Sequence, residues 1–97
     1  MSVEWQDVLT HSEEMRSAAR GGAFERVAVL ELTRRKMLES VSKATPETQH
    51  LLEAMVSCEL ETAGLVEAAR NDAAAMLQKL RHVQAGTGAY LDVCSRR

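Results

Sequence analysis

Aromatic residues and proline are scarce in this sequence. Its 97 residues include one Trp, one Tyr, one Phe and one Pro, so the aromatic side chains that are enriched in β-strands are nearly missing. Residues with high helix propensity, chiefly Ala, Leu, Glu, Arg and Met, are common instead. The composition therefore predicts an all-α protein, and the length predicts one small domain, residues 1–97.

Cysteine is also scarce, and long apolar runs are missing. Cys58 and Cys94 stand far apart and form no C-x-x-C pair, so they make no disulfide framework. No apolar run approaches the roughly 20 residues of a membrane span. Polar residues such as Glu4 and Asp7 interrupt the segment in which a signal peptide would need its apolar core. We therefore expect a cytoplasmic protein with reduced thiols and no direct membrane insertion.

The sequence carries no signature of catalysis, metal binding or phosphate binding. His11, His50 and His82 are far apart, and none has enough neighbouring ligands for a metal site. There is no glycine-rich phosphate loop. The net charge is −2, and the one basic run, Arg34–Lys36, lacks interleaved aromatic residues, which argues against nucleic-acid binding. We expect no catalytic residue, no cofactor and no metal, and therefore a non-enzymatic protein that acts through helix faces.

The first half of the chain has the pattern of a helical hairpin. Apolar residues recur every three or four positions over residues 3–20 and again over 23–43, which predicts two amphipathic helices. Gly21 and Gly22 separate them, because glycine adopts the left-handed helix cap at no steric cost.

The second helix departs from a narrow apolar stripe in two ways. Val29 and Leu32 lie off the inner stripe, which predicts a wider apolar face that touches two neighbours. The run Arg34–Lys36 must place one basic residue near the inner stripe, where a long arginine buries its stem and keeps its charged head in water.

Thr45 and Pro46 form the clearest helix start in the chain, because threonine caps helices and proline suits the first helical position. A third helix is predicted over about 46–85, with its end at Gly86. Its apolar stripe has the alternating three-and-four spacing of a coiled-coil seam. The stripe contains Leu51, Met55, Cys58, Thr62, Leu65, Ala69, Ala73, Met76, Leu80 and Val83.

This third helix is about twice as long as either of the others. About 40 helical residues extend roughly 60 Å, whereas the first two predicted helices extend roughly 27–32 Å. The hairpin therefore covers only about half of the third helix, and the uncovered half predicts an interaction site. Three candidates for what packs on this uncovered half remain open: the tail folded back onto it, a second copy of the chain, or a different protein.

Residues 87–97 are predicted to form a short and weakly docked helical tail. Gly86 and Gly88 separate the tail from the third helix, and an isolated helix of this length is marginal in water. We expect the apolar residues of the tail to pack weakly and to be easily displaced. They are the candidate regulatory residues Tyr90, Leu91 and Val93.

The entry to the second helix carries a distinctive combination of residues. The combination consists of Gly22-Ala23-Phe24-Glu25, followed by Leu30-Glu31, Arg34 and Leu38. It resembles the FliT family of flagellar export chaperones, which typically shows a Gly-polar-aromatic-acidic entry, a Leu-Glu pair, an Arg and paired leucines. An alanine and a Met-Leu pair stand here in place of the polar residue and the paired leucines. More loosely, the resemblance covers the whole chain through the order and lengths of its helices.

The resemblance implies a small cytoplasmic helical chaperone. Proteins of this family bind the C-terminal helical segment of the filament-cap protein and deliver it to the export ATPase complex, and enteric members also bind the flagellar master transcription regulator. The family's C-terminal helix is thought to cover the binding face of the third helix. Here only about ten residues follow Gly86, so the corresponding tail is short.

The uncovered half of the third helix and the client site implied by the family coincide. We therefore expect an amphipathic partner segment to pack along this half of the helix, with Arg70, Lys79 and Arg81 as a basic rim that selects an acidic partner. The predicted partner-binding residues are Leu65, Val66, Ala69, Arg70, Ala73, Met76, Leu77 and Leu80.

Two other functions remain open from the sequence. The same stripe is compatible with the core of a helical self-assembling protein, such as a homodimer. A small helical enzyme of the AroQ-type chorismate mutase class is a further alternative, because such enzymes bind a dicarboxylate with basic residues in a helical bundle. Its cations would come from Arg34, Arg35, Lys36 and Arg70, although the usual pattern of its first helix is absent.

Overall fold

The structure, a computed structural model, describes the backbone of residues 3–95 and the side chains of residues 3–86. It contains three α-helices: α1 (Trp5–Arg20), α2 (Phe24–Ser40) and α3 (Gln49–Ser95). A 3₁₀ turn, Pro46–Thr48, precedes α3. The predicted all-α class, with a helical hairpin followed by one long helix, is confirmed.

The chain divides into two compact units, Met1–Val66 and Glu67–Arg97. The first unit contains α1, α2 and the beginning of α3, and the second contains the rest of α3. Whether the chain acts as a single domain stays a prediction.

The turn between α1 and α2 follows the glycine signal. Gly22 has a positive φ of 77°, in the left-handed region that glycine adopts without a Cβ clash. The amide of Ala23 donates to the carbonyl of Ala18 at 2.9 Å, and the amide of Gly22 donates to the carbonyl of Ala19 at 3.1 Å. These two bonds form a Schellman motif, which satisfies the last carbonyls of α1 and reverses the chain.

Two short segments differ from the predicted helix limits. The second helix was predicted to reach residue 43 but ends at Ser40, and Val41 is extended. Val3 is likewise outside α1 and forms an isolated parallel bridge with Val41, while the Ser42 amide donates to the Val3 carbonyl at 3.4 Å. The start of α1 therefore pairs with the end of α2 through extended backbone, which closes this end of the hairpin.

The predicted end of the third helix near Gly86 is wrong, because α3 continues without a break through Asn71 and Gly86 to Ser95. A glycine inside a helix costs only about 1 kcal/mol relative to alanine, and no proline follows to force an end. The predicted tail is thus, in its backbone, the last part of α3. The side chains of Tyr90, Leu91 and Val93 lie outside the described residues.

The core of the first unit consists of two apolar clusters. One joins Val8 and Leu9 of α1 to Met55 and Cys58 of α3, next to the end of α2. The other joins Met15 and Ala19 of α1 to Val27 near the start of α2, and the α3 residues that pack on it are Leu65 and Val66. Within this unit α1 and α3 therefore run in the same direction, and α2 runs antiparallel to both.

Ion pairs connect α3 to both arms of the hairpin. Arg34 donates to Glu59 of α3 and, at 3.2 Å, to Glu31 of its own helix. Arg20 forms a bidentate pair with Glu61, in which one N–H···O distance is 2.8 Å. The prediction that one residue of the basic run lies near the inner stripe is confirmed by Arg34, whose side chain is only 16% exposed.

Replacing a buried methionine and an exposed one separates the core from the surface. We expect Met15→Ala to lower the free energy of unfolding by about 2–5 kcal/mol, since it leaves a cavity beside Ala19 and Val27. Met76→Ala, at a side chain that is 65% exposed, is the matched control and should change it by less than about 0.5 kcal/mol. Urea unfolding, monitored by circular dichroism, measures the free energy of unfolding of both variants. Equal decreases in the two variants would contradict the assignment of Met15 to the core.

The Arg20–Glu61 pair predicts a pH dependence of stability. Its hydrogen bond and the positive charge of Arg20 lower the pKa of Glu61 from its ordinary value. A lowered carboxyl pKa stabilises the fold above the ordinary pKa, and this contribution is lost as pH falls through the folded-state pKa.

Glu61→Gln should therefore be less stable than the parent chain at about pH 6 and should approach it at about pH 3. Glu13→Gln is the control, because it removes an exposed carboxylate that forms no ion pair within residues 3–86. Denaturant unfolding at the two pH values measures the difference. A difference between parent and Glu61→Gln that is independent of pH would show that the ion pair does not contribute.

Candidate functional site

The part of α3 that follows the hairpin core is exposed nearly throughout. Within residues 67–86 only Ala69 is partly buried, and every other residue is exposed. Apolar residues nevertheless recur on one side of the helix at spacings of four, three, four and three. We call this surface the α3 stripe; it contains Ala69, Ala73, Met76, Leu77, Leu80 and Val83.

The four large side chains of the α3 stripe are in contact with water over most of their surface. Met76 is 65% exposed, Leu77 55%, Leu80 53% and Val83 65%. Fully burying one such side chain is worth about 1.5–3 kcal/mol, so covering the stripe is strongly favourable. In proteins, a helix also gains most of its stability from the packing of its apolar face against other elements. The α3 stripe is thus an exposed apolar helix face and the candidate site of the chain.

The predicted site residues fall into two groups. Leu65 and Val66 are half-buried and pack on the cluster of Met15, Ala19 and Val27, so they contribute to the core of the first unit. The others lie in the second unit, on or beside the α3 stripe. They are Ala69, Arg70, Ala73, Met76, Leu77 and Leu80.

Val83 joins the candidate site on structural grounds. It was part of the coiled-coil seam in the sequence but was not among the predicted binding residues. Its spacing of three from Leu80 and seven from Met76 places it on the same side of α3, and it is as exposed as Met76. Helical spacing alone was therefore sufficient to find it.

The charged residues beside the α3 stripe are unequally distributed on its two edges. At 100° per residue, Arg70 and Arg81 lie on the edge that Leu77 occupies, and Asp72 and Lys79 lie on the opposite edge. All four are exposed, and none forms an ion pair within the described part of the chain. The predicted basic rim therefore has one purely basic edge and one mixed edge, with both available to a partner.

Two of the three residues in the basic run of α2 are paired with neighbouring carboxylates. Arg34 pairs with Glu31 and Glu59, and Arg35 lies 3.5 Å from Glu31. Two of the cations that a dicarboxylate-binding enzyme would need are therefore neutralised within the fold. Within residues 3–86 no three His, Cys, Asp or Glu side chains lie close enough to share a metal ion. None of the helices, over the residues described, has the length and apolar character needed to cross a membrane.

These features define an all-helical protein that, within the described residues, exposes an apolar helix face on α3. The family model described as flagellar protein FliT matches residues 3–92. Because this match covers nearly the whole chain, the protein belongs to the FliT family, a family of flagellar chaperones. No curated protein and no solved structure matched the chain.

Proposed function

We propose that this protein is a non-enzymatic export chaperone of the bacterial flagellum. In this proposal it binds the C-terminal helical segment of the filament-cap protein in the cytoplasm and hands it to the type III export apparatus. Membership of the FliT family supports the flagellar and chaperone part of the proposal. The single observation that carries the binding part is the exposed α3 stripe, which a partner helix can cover.

The α3 stripe suits an amphipathic helix as its ligand. Ala69 and Ala73 are small, so the backbone of a partner helix can approach α3 closely there. Further along, Met76 has a flexible and polarisable side chain that fills irregular gaps. Leu77 and Leu80 provide the larger apolar area. Together these residues favour a partner that presents apolar residues at helical spacing, as in helix-in-groove recognition.

The edges of the stripe favour an acidic partner. Arg70 and Arg81 lie on one edge without a carboxylate, and the region from residue 70 onward carries five basic and two acidic residues. Charges around an apolar contact mainly accelerate encounter and exclude wrong partners, and salt weakens them. Binding should therefore depend on ionic strength in its rate more than in its final affinity.

A chaperone for export must bind its client firmly but release it. Covering the apolar side of a client segment keeps that segment from associating with other copies, while a contact limited to one helix face keeps the affinity moderate. Further partners that the family suggests are the export ATPase complex and, as in enteric members, a flagellar transcription regulator. For the predicted regulatory residues Tyr90, Leu91 and Val93 to compete for the stripe, the continuous helix α3 would have to break near Gly86.

A helical self-assembling protein is the second candidate. The four-three-four-three spacing of the α3 stripe is also the seam of a coiled coil, so two copies of α3 can in principle cover one another. A chorismate mutase is less favoured than either, because Arg34 and Arg35 are already paired with carboxylates.

Adding a charge to the α3 stripe tests the client site. We expect Leu77→Glu to weaken binding of the cap-protein C-terminal segment at least about tenfold, because a carboxylate would be buried against apolar side chains. Leu60→Glu is the matched control, since Leu60 is 70% exposed on the same helix but lies outside the stripe. Fluorescence anisotropy of a labelled segment measures affinity, and circular dichroism checks that both variants remain helical.

The outcomes distinguish the two candidates. Loss of binding in Leu77→Glu with full binding in Leu60→Glu supports the chaperone. Full binding in Leu77→Glu would rule out this site. A parent chain that ignores the segment and forms a dimer that Leu77→Glu dissociates would favour the self-assembling protein instead.

A further inference from the structure

The outer side of α3, within the first unit, carries a second group of exposed apolar residues. Glu53, Val56, Leu60 and Gly64 are spaced by three, four and four residues, so they lie on one side of the helix. Leu60 is 70% exposed and Val56 is 49% exposed, whereas Cys58, on the opposite side of α3, is buried in the core. We call the first four residues the α3 outer face.

No contact among the described residues requires a glycine at position 64. Gly64 lies inside α3, and its φ is not positive, so its backbone conformation suits any residue. A Cβ built on it would meet no heavy atom within 4 Å. Glycine is nevertheless one of the least favourable residues in a helix interior. Its missing side chain leaves bare helix backbone one turn after Leu60, which another helix can approach closely.

The α3 outer face lies in a segment of the chain that is acidic throughout. Residues 44–66 include four glutamates and no Lys or Arg. Two of these glutamates pair with arginines of the hairpin. Glu53 is exposed and forms no ion pair within residues 3–86, although it accepts a hydrogen bond from Nε2 of Gln49 at 3.3 Å. The carboxylate of Glu53 is therefore the charge that this face offers to a partner.

We propose that the α3 outer face docks a basic amphipathic helix of another protein. In this arrangement apolar side chains of the partner cover Val56 and Leu60, a Lys or Arg of the partner pairs with Glu53, and the partner backbone passes close to Gly64. The face extends over eleven positions, about 16 Å or three helical turns, so a short helical segment is long enough to cover it. The proposal goes beyond the proposed function and does not depend on it.

Charge distinguishes this partner from the other possible occupants of the face. A second copy of this face carries no Lys or Arg that could pair with Glu53, and an acidic segment would be repelled by it. The α3 stripe, by contrast, has a purely basic edge with Arg70 and Arg81. The two surfaces of α3 therefore select partners of opposite charge.

Two matched peptides test the proposal with the full-length protein. Both are synthetic amphipathic helices of about 18 residues with the same leucine and alanine pattern, one with lysines and the other with glutamates on its polar side. We expect Leu60→Ser to weaken binding of the lysine peptide at least about tenfold, because it removes the largest apolar side chain of the face. Glu53→Lys should weaken the lysine peptide at least about threefold and strengthen the glutamate peptide. Fluorescence anisotropy of labelled peptides measures both affinities.

Gly64 and Gly86 provide a matched pair of variants. Both lie inside α3, and a Cβ on either would meet no heavy atom within 4 Å. Gly64→Ala and Gly86→Ala should therefore both fold with at least the helicity of the parent chain, as measured by circular dichroism. Only Gly64→Ala should weaken binding of the lysine peptide, at least about threefold, because its methyl group keeps the partner backbone further away.

The result for Leu77→Glu separates this proposal from the client site. This variant changes the α3 stripe, so it should bind the lysine peptide like the parent chain even where it loses the cap-protein segment. The proposal is overturned if the parent chain does not bind the lysine peptide at about 1 mM. It is also overturned if Gly64→Ala binds as tightly as Gly86→Ala, or if Leu77→Glu abolishes binding of the lysine peptide.

Discussion

The fold depends on the buried side of α1, which packs against both other helices. Val8, Leu9, Met15 and Ala19 supply the α1 side of both apolar clusters, and among residues 3–86 neither other helix contributes as many buried residues. Ser12 lies between them and is only 1% exposed. Because α1 has 16 residues, it can cover only the beginning of α3, which has 47. The exposure of the α3 stripe is therefore a consequence of helix length.

Polar contacts fix the orientation of the helices that this apolar packing holds together. The Arg34–Glu59 and Arg20–Glu61 pairs connect α3 to α2 and to the end of α1. Exposed ion pairs contribute little stability, but they disfavour other rotations and registers of a helix. His11 adds a contact between α1 and α2, since its Nε2 lies 2.7 Å from the carbonyl oxygen of Leu30. The first unit is thus held by apolar clusters and aligned by a few specific polar contacts.

The sequence predicted some features well because a local cause determines them. Gly22 reverses the chain because it takes a positive φ and because Ala18 and Ala19 accept the capping hydrogen bonds. Gly86 shows the limit of the same rule: glycine permits a helix to end but does not require it, and α3 continues through it.

Burial was harder to predict than helix position. Leu65 and Leu80 belong to the same apolar stripe of α3, yet Leu65 packs on the hairpin core whereas Leu80 is 53% exposed. Helical spacing identifies the apolar face of a helix but not what packs against that face. The comparison of helix lengths was therefore needed to locate the exposed half of α3. Val29 and Leu32 show the same difficulty, because their apolar character predicted intramolecular neighbours that the described residues do not provide.

The most direct test of client binding along the α3 stripe is methyl NMR of the methionines during titration with the cap-protein C-terminal segment. Met15 and Met55 are buried in the two core clusters, Met37 is half-buried, and Met76 lies on the stripe. Docking on the stripe predicts that the Met76 methyl signal shifts with saturation while those of Met15 and Met55 stay in place. An unchanged Met76 signal in the presence of a bound segment would contradict it.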